Sequence, residues 1–192
     1  MPYSKLFPIT VFIALQAMIM MIVESPLAFV SWIAFQAWAM YFLAGGTYKM
    51  GTKSLAGYFG GAVASVAIFE LSTLFGDWGL GNSWNLYLAV FLVVILVISA
   101  EKVPGFDFVP SWFIGAGVFF GLMNLSTFAE GATVWEKYAE TTQTLMWSAL
   151  VGLVFGAVTV IFRTWYEARI VAAPQTPAAS EKPEQIPGDA LV

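Results

Sequence analysis

Six stretches of mostly apolar residues alternate with short polar connections along the chain. They lie at about residues 6–23, 27–44, 55–75, 86–100, 108–125 and 142–162. A helix that crosses a bilayer needs about 20 predominantly apolar residues, and interfacial aromatics extend the short fourth stretch. Gly, Pro and Asn interrupt the chain between the stretches, where turns are expected. The pattern predicts an all-α membrane protein with six transmembrane helices.

The basic residues are distributed unevenly between the two sides that six crossings define. Only Lys137 falls on the side away from the termini. The other basic residues share the side of the termini, namely Lys5, Lys49, Lys53, Lys102, Arg163, Arg169 and Lys182. Short loops rich in Lys and Arg stay in the cytoplasm, so we predict that both termini are cytoplasmic. The opposite side is acidic, with Glu24, Asp77, Glu130, Glu136 and Glu140 near the outer helix ends.

The chain divides into a transmembrane domain and a polar tail. We assign residues 1–170 to the six-helix domain and residues 171–192 to a disordered cytoplasmic tail, because the tail is rich in Pro, Ala and Glu and has little to bury. The first apolar stretch follows Lys5, as in a signal peptide. No small-residue cleavage pattern follows it, however, so we expect it to be retained as the first helix.

Composition excludes several kinds of chemistry. Hydrophobic residues make up 59% of the chain and charged residues only 10%, against about 25% charged in soluble domains. Cysteine and histidine are absent, which excludes disulfides, thiol nucleophiles and histidine-based proton relays. A basic surface for nucleic acid and a Walker loop for ATP are also missing. We expect no enzymatic activity, no cofactor and no metal, with the lipid bilayer as the principal surrounding partner.

The two halves of the chain share two motifs in the same order. Residues 24–32 and 101–112 both read as Glu, then Pro, then Phe-Val, then Ser-Trp. Residues 55–63 and 150–158 then match without gaps around a Gly-x-x-x-Gly-Ala-Val core. Each half holds three helices, and because three is odd the second copy enters the membrane upside down. We therefore predict two inverted-topology repeats, about residues 7–76 and 85–165, an arrangement found in many channels and transporters. The second repeat has about fifteen extra residues, mainly in an outer loop at 126–140.

Few polar side chains lie within the predicted helices, and these are the candidates for a pore or solute-binding site. Glu70 is a carboxylate inside the third helix, either a ligand in an outer vestibule or a group that reaches the interface. Gln16 and Gln36 lie mid-helix, where their amides either line a polar path or hydrogen-bond between helices. Asn124 belongs to a looser polar set near the end of the fifth helix.

Trp32 and Trp112 stand at equivalent repeat positions, either as symmetric constrictions of a pore or as core packing. Two Gly-x-x-x-Gly motifs, at Gly57 and Gly61 and at Gly152 and Gly156, allow two helix backbones to approach closely. We expect the third and sixth helices to cross each other, or to cross a neighbouring subunit, at these glycines.

Several of these segments resemble the YcdZ-like family of small bacterial inner-membrane proteins. The resemblance is carried by residues 29–35 (FVSWIAF), 41–46 (YFLAGG), 53–57 (KSLAG), 108–116 (FVPSWFIGA) and 150–157 (LVGLVFGA). It covers most of residues 10–165. The resemblance implies a compact helical bundle in a bacterial inner membrane. That family has no known function, so the resemblance supplies no substrate and no site residues.

These features together predict a homo-oligomeric channel or facilitator for a small polar solute. The inverted repeat and the mid-helix amides favour it, and the absence of an energy-coupling motif favours passive conduction. One alternative is a non-transporting membrane subunit that binds partner proteins through its glycine-rich faces or its tail. A second alternative is a proton-linked secondary transporter that uses Glu70 as the proton site.

Overall fold

A computed structural model of the chain describes residues 3–81 and 83–172, and every regular element in these ranges is helical. The six α-helices are α1 (Tyr3–Leu27), α2 (Ser31–Leu43), α3 (Tyr48–Asp77), α4 (Trp84–Ser99), α5 (Val109–Leu125) and α6 (Val134–Ala172), with a short 3-10 turn at Ala100–Lys102 after α4. The all-helical prediction is therefore confirmed. The tail predicted to be disordered lies, apart from the end of α6, outside the described residues.

Four of the helices are long and apolar enough to cross a membrane. They are Leu6–Leu27, Tyr48–Asp77, Trp84–Lys102 and Val134–Ile170. Helix α5 is apolar but has only 17 residues. Helix α2 has 13 residues and is about 20 Å long, less than the roughly 30 Å of a bilayer core. Membrane-compatible helices are thus present, and the crossing of α2 and α5 stays a prediction.

Helix α1 extends further than predicted, and α2 is correspondingly shorter. Ala28 has a positive φ of 50°, and its neighbour Phe29 donates its backbone N–H to the carbonyl of Glu24, which ends α1. The carboxylate of Glu24 then accepts the N–H of Ser31, the first residue of α2, at 2.9 Å. One side chain of α1 therefore caps the next helix, and the hydropathy of the segment does not reveal this break.

Helix α6 begins well before its predicted start near residue 142, so part of the predicted outer loop is helical. The hydroxyl of Thr133 accepts the N–H of Glu136, and the Glu136 carboxylate accepts the N–H of Thr133 at 2.7 Å. This reciprocal arrangement is a capping box, which satisfies backbone donors at a helix start. The Thr-x-x-Glu spacing at residues 133–136 is present in the sequence, but hydropathy alone does not indicate the helix start that it forms.

Contacts between helices show that successive helices alternate in direction. Along α3 and α5, Gly57 lies against Ser111 and Phe69 against Phe120, so these two helices are parallel. Helices α2 and α6 are also parallel. Antiparallel pairs are α1 with α6, α3 with α4 and α3 with α6, as shown by Phe12 on Phe162, Asn85 on Ser72 and Phe69 on Tyr138.

Helices α2, α3, α5 and α6 form the central bundle and its main apolar core. The most extensive pairings are α3 with α5 and α2 with α6. Helix α4 packs outside α3, and α1 packs outside α6 and α2, each over a smaller apolar cluster. Helices α2 and α5 hardly touch each other, which leaves an open seam on one side of the central bundle.

The glycines of the two Gly-x-x-x-Gly motifs lie at the two main helix crossings. A Cβ built on Gly61 would lie 2.5 Å from the backbone nitrogen of Ala116 in α5, and one on Gly156 would lie 2.7 Å from the Cβ of Tyr41 in α2. Gly57 and Gly152 meet α5 and α2 in the same way. The motifs therefore join α3 to α5 and α6 to α2 within the chain, and neither of the predicted alternatives, a crossing of α3 with α6 or with a neighbouring subunit, describes these four glycines.

Candidate functional site

A cavity of about 170 Å³ lies in the seam between α2 and α5. Trp32 and Gln36 line it from α2, and residues 113, 114, 117 and 118 line it from α5. Trp32 and Gln36 lie four residues apart, so they share one helix face. The seam exists because α2 packs on α6 and α5 packs on α3, which turns the facing sides of α2 and α5 towards an open space.

Gln36 is the polar side chain of this cavity. Its side chain is exposed, and it forms no hydrogen bond within the described part of the chain. The α5 wall consists of Phe113, Ile114, Gly117 and Val118. A water molecule occupies about 30 Å³ of liquid, so the cavity has room for a few waters or one molecule of a few heavy atoms. The site therefore offers one neutral amide, with donors and acceptors, among apolar walls.

Gln16, the other mid-helix amide, lies in a different environment. It is buried and belongs to a hydrogen-bonded cluster with Trp38 of α2 and Thr159 of α6. The Thr159 hydroxyl lies 2.7 Å from Gln16 Oε1, the Trp38 indole donates to that hydroxyl at 3.1 Å, and Gln16 Nε2 donates to the Phe155 carbonyl. These bonds join α1, α2 and α6. A path-lining role for Gln16 stays a prediction, while its contacts are those of an interhelical link.

Trp32 and Trp112, equivalent in sequence, have different surroundings. Trp32 lies at the mouth of the cavity with 42% of its surface exposed. Trp112 packs its ring over Gly60 of α3, and its indole N–H donates to the carbonyl of Phe106 at 3.0 Å. The structure therefore places only Trp32 beside Gln36, and a symmetric pair of constrictions is not formed by these two side chains.

Glu70 and Asn124 lie away from the cavity. Glu70 is exposed on α3, about two turns before its end, and its carboxylate lies beside the hydroxyl of Tyr138 in α6. Asn124 is exposed in the last turn of α5, where its amide donates to the carbonyl of Phe120 at 2.7 Å. Of the six candidate polar and aromatic residues, the structure thus brings together only Gln36 and Trp32.

A larger hollow of about 290 Å³ lies where α2, the start of α3 and α6 meet. Tyr41, Tyr48 and Thr52 reach it, but almost all of its surface is apolar, from residues such as Leu55 and Leu150. A space of this character suits a hydrocarbon chain better than a polar solute. We therefore place the candidate site at the smaller cavity, which contains the amide.

The start of α5 is held to α3 by an ion pair. Lys53 Nζ lies 2.6 Å from Asp107 Oδ2, and the second oxygen of Asp107 accepts the N–H of Gly105. The hydrogen bond and charge of Lys53 hold the pKa of the Asp107 carboxyl below its ordinary value. This contact holds the start of α3 to the start of α5.

The sequence analysis did not predict three residues that the structure shows in buried polar positions, namely Trp38, Thr159 and Tyr58. The first two belong to the buried cluster around Gln16. Tyr58 is completely buried in the central core, and its hydroxyl has no hydrogen-bond partner there. A tyrosine well inside an apolar helix was a usable signal, because tyrosines of membrane helices concentrate near the interfaces.

The protein is all-helical, and four of its helices are membrane-compatible. Its candidate site is a cavity between two helices that is lined by the Gln36 amide, by Trp32 and by the apolar wall of α5. The chain belongs to the family described as "Protein of unknown function (DUF1097)", whose family model matches residues 10–168. No curated protein and no solved structure matches the chain. The match confirms an uncharacterised domain family, and the YcdZ-like name and the bacterial inner membrane stay predictions.

Proposed function

We propose that the protein is a channel or facilitator for a small polar solute, and that the solute passes Gln36 in the seam between α2 and α5. The observation that carries this proposal is the exposed amide of Gln36, which has no hydrogen-bond partner among the described residues although it faces the apolar wall of α5. An amide in hydrocarbon is costly unless it is hydrogen-bonded. A passing solute, or the water that accompanies it, supplies the missing bonds.

We also propose that the chain crosses a bacterial inner membrane six times with both termini in the cytoplasm; the alternating helix directions support the six crossings, and the distribution of basic residues supports the orientation. Each helix reverses the direction of the one before it, including the short α2. Neighbouring helices cover much of α2, since seven of its residues are buried. A helix shielded in this way can be shorter than the bilayer, because irregular backbone at its ends contacts protein instead of lipid.

The packing is also consistent with two inverted repeats. Exchange of α1 with α4, α2 with α5 and α3 with α6 converts the α3–α5 pairing into the α6–α2 pairing, and the α3–α4 pairing into the α6–α1 pairing. The two motif glycines of each half lie at equivalent crossings. Such repeats place a solute site near the midplane, between the halves, and the α2–α5 seam lies between the halves.

The site favours a neutral solute. Gln36 carries no charge, and the α5 wall of the cavity is apolar, so a permeating ion would have to leave water without a countercharge. The acidic residues predicted at the outer helix ends would repel anions before they reached the seam. Urea and short amides have the required size and hydrogen-bonding groups.

We further propose that the protein works as a homo-oligomer. Gly117 and Gly121 form a third Gly-x-x-x-Gly spacing on α5. A Cβ on Gly117 would meet nothing within 4 Å, and one on Gly121 would meet only Trp32 at 3.9 Å. Unlike the motifs inside the bundle, this spacing joins no two helices in the described residues. It lies on the open side of α5 beside the Gln36 cavity, so a helix of a second copy that packs there would form part of the wall of the solute path.

The experiment is a flux assay on purified protein in liposomes, with urea, formamide, methylammonium and formate as solutes. We expect flux of the neutral solutes above that of empty liposomes, and a severalfold loss in Gln36→Leu. Gln143→Leu is the matched control, because Gln143 is an exposed glutamine of α6 that lines a separate hollow of about 360 Å³ with Trp147 and Leu150. Equal flux in wild type and Gln36→Leu would refute the path at Gln36.

Two alternatives give different results in the same experiment. Absence of flux with correctly folded protein would favour a non-transporting subunit, and cross-linking in native membranes would then identify its partner proteins. A proton-linked transporter would show flux that depends on a pH gradient. That dependence would disappear in Glu70→Gln, because Glu70 is its proposed proton site.

A further inference from the structure

Nearly every buried polar side-chain atom in the described residues has a hydrogen-bond partner, and the Tyr58 hydroxyl is the one exception. Tyr58 is fully buried. The hydroxyls of Ser54, Ser65 and Ser111, also buried, each donate to a backbone carbonyl three or four residues before them. An unpaired buried hydroxyl destabilises a fold, and phenylalanine would fill nearly the same volume without that cost. The exception therefore calls for a partner from outside the chain.

The position of Tyr58 connects it to the Gln36 cavity. Its backbone lies against Gly115 of α5, on which a Cβ would come within 2.6 Å of the Tyr58 carbonyl oxygen. Its ring belongs to the core cluster shared by α2, α3, α5 and α6, which includes Ile33 and Val118. Val118 also lines the cavity that holds Gln36. The cavity therefore borders the apolar cluster to which Tyr58 belongs.

We propose that the Tyr58 hydroxyl is a second hydrogen-bonding position for the solute, inside the bundle from Gln36. This inference deepens the proposed function and rests on it. A phenol both donates and accepts a hydrogen bond, so it binds neutral molecules with either group. The fully buried polar side chains of the described residues are all uncharged. The solute class is therefore neutral molecules of a few heavy atoms, and ions are excluded.

Access to Tyr58 requires α2 and α5 to separate further. The two helices hardly touch, whereas each is joined tightly to another partner, α2 to α6 and α5 to α3. The pairs α2–α6 and α3–α5 meet through the α3–α6 and α5–α6 contacts, and in this proposal they move as two units about that junction and open the seam. Such rocking of one half of a bundle against the other is the usual movement of transport proteins built from repeats.

The test uses full-length Tyr58→Phe in the same liposome assay, together with its thermal unfolding in detergent. The control is Tyr41→Phe, because Tyr41 is buried in the same cluster but lines the larger apolar hollow. We expect urea flux to fall about fivefold to tenfold in Tyr58→Phe, the factor that corresponds to one neutral hydrogen bond. We expect its unfolding temperature without solute to be unchanged or higher, and Tyr41→Phe to keep wild-type flux.

Three results would overturn the inference, and they can be told apart. Wild-type flux in Tyr58→Phe with a raised unfolding temperature would identify an unsatisfied hydroxyl without a role. A lowered unfolding temperature with unchanged flux would identify a structural hydrogen bond. Absence of flux in the wild type would reject the proposed function together with this inference, whereas loss of flux in Gln36→Leu alone would leave the proposed function standing.

Discussion

The buried cluster around Thr159 gives the most direct test of how the helices are held together. The Thr159 side chain is 2% exposed, and its hydroxyl connects Trp38 of α2 with Gln16 of α1. Valine has almost the same shape as threonine but lacks the hydroxyl. Thr159→Val therefore removes the connection between three helices without leaving a large cavity.

The expected loss follows from the two groups that remain unpaired. The Trp38 indole N–H loses its acceptor at 3.1 Å, and Gln16 Oε1 loses the hydroxyl 2.7 Å away, whose single proton it shares with the Phe155 carbonyl at 2.8 Å. One interhelical hydrogen bond in a membrane protein contributes about 0.6 kcal/mol on average and at most about 1.7 kcal/mol. Two such bonds, together with the exclusion of water from the site, give a destabilisation of about 1–3 kcal/mol.

The free energy of unfolding would be measured in lipid bicelles for wild type, Thr159→Val and the control Thr142→Val. Thr142 lies on the same helix, and its hydroxyl donates only to the carbonyl of Tyr138 in its own helix. We expect the control to lie close to wild type and Thr159→Val to lie clearly below it. A Thr159→Val protein as stable as the control would refute the assignment of Gln16 to interhelical bonding, and a path-lining role for Gln16 would regain support.

Three further predictions test the crossing, the ion pair and the topology. Gly61→Ala lowers the unfolding free energy by about 1–3 kcal/mol, because its Cβ enters the α5 backbone. Gly117→Ala leaves it unchanged or raises it in the same chemical unfolding measurement, because its Cβ meets nothing within 4 Å and alanine is the better helix former; equal effects of the two substitutions would contradict the α3–α5 crossing. The Lys53–Asp107 contribution to stability is complete above the ordinary carboxyl pKa and disappears as pH falls through the depressed pKa of Asp107. The unfolding midpoints of wild type and Asp107→Asn should therefore differ at neutral pH and converge as pH falls below the depressed pKa of Asp107, and a difference independent of pH would argue against the pair. The chain contains no cysteine, so Glu130→Cys provides a single thiol that a membrane-impermeant maleimide should label from outside intact cells; labelling only after lysis would reverse the predicted orientation.

The helices themselves followed from hydropathy, because a backbone in hydrocarbon must satisfy its hydrogen bonds within the helix. Every predicted apolar stretch overlaps one observed helix. The helix ends were less predictable, because side chains determine them. The Thr133–Glu136 capping box starts α6 early and could have been recognised from its spacing. The hydrogen bond from the Ser31 backbone N–H to the Glu24 carboxylate depends on a turn at Ala28, and no local sequence pattern predicts that turn.

The candidate site depended on tertiary packing to a greater degree. Gln16 and Gln36 are the same residue type, each near the middle of an apolar helix, and the sequence offers no means to distinguish them. The structure buries Gln16 against Thr159 and leaves Gln36 open in the seam. Trp32 and Trp112 diverge in the same way despite their equivalent motifs.

The sequence alone therefore determined the helical composition of the protein, the membrane-compatible character of its apolar helices and the small set of polar groups within them. It determined these because burial of backbone and apolar side chains depends on local composition. Tertiary structure alone decided which helices pair, which amide is satisfied and which hydroxyl, that of Tyr58, is left unpaired. These properties depend on the faces that neighbouring helices cover, and residues such as Gly61 and Ala116 that are far apart in the sequence determine those faces.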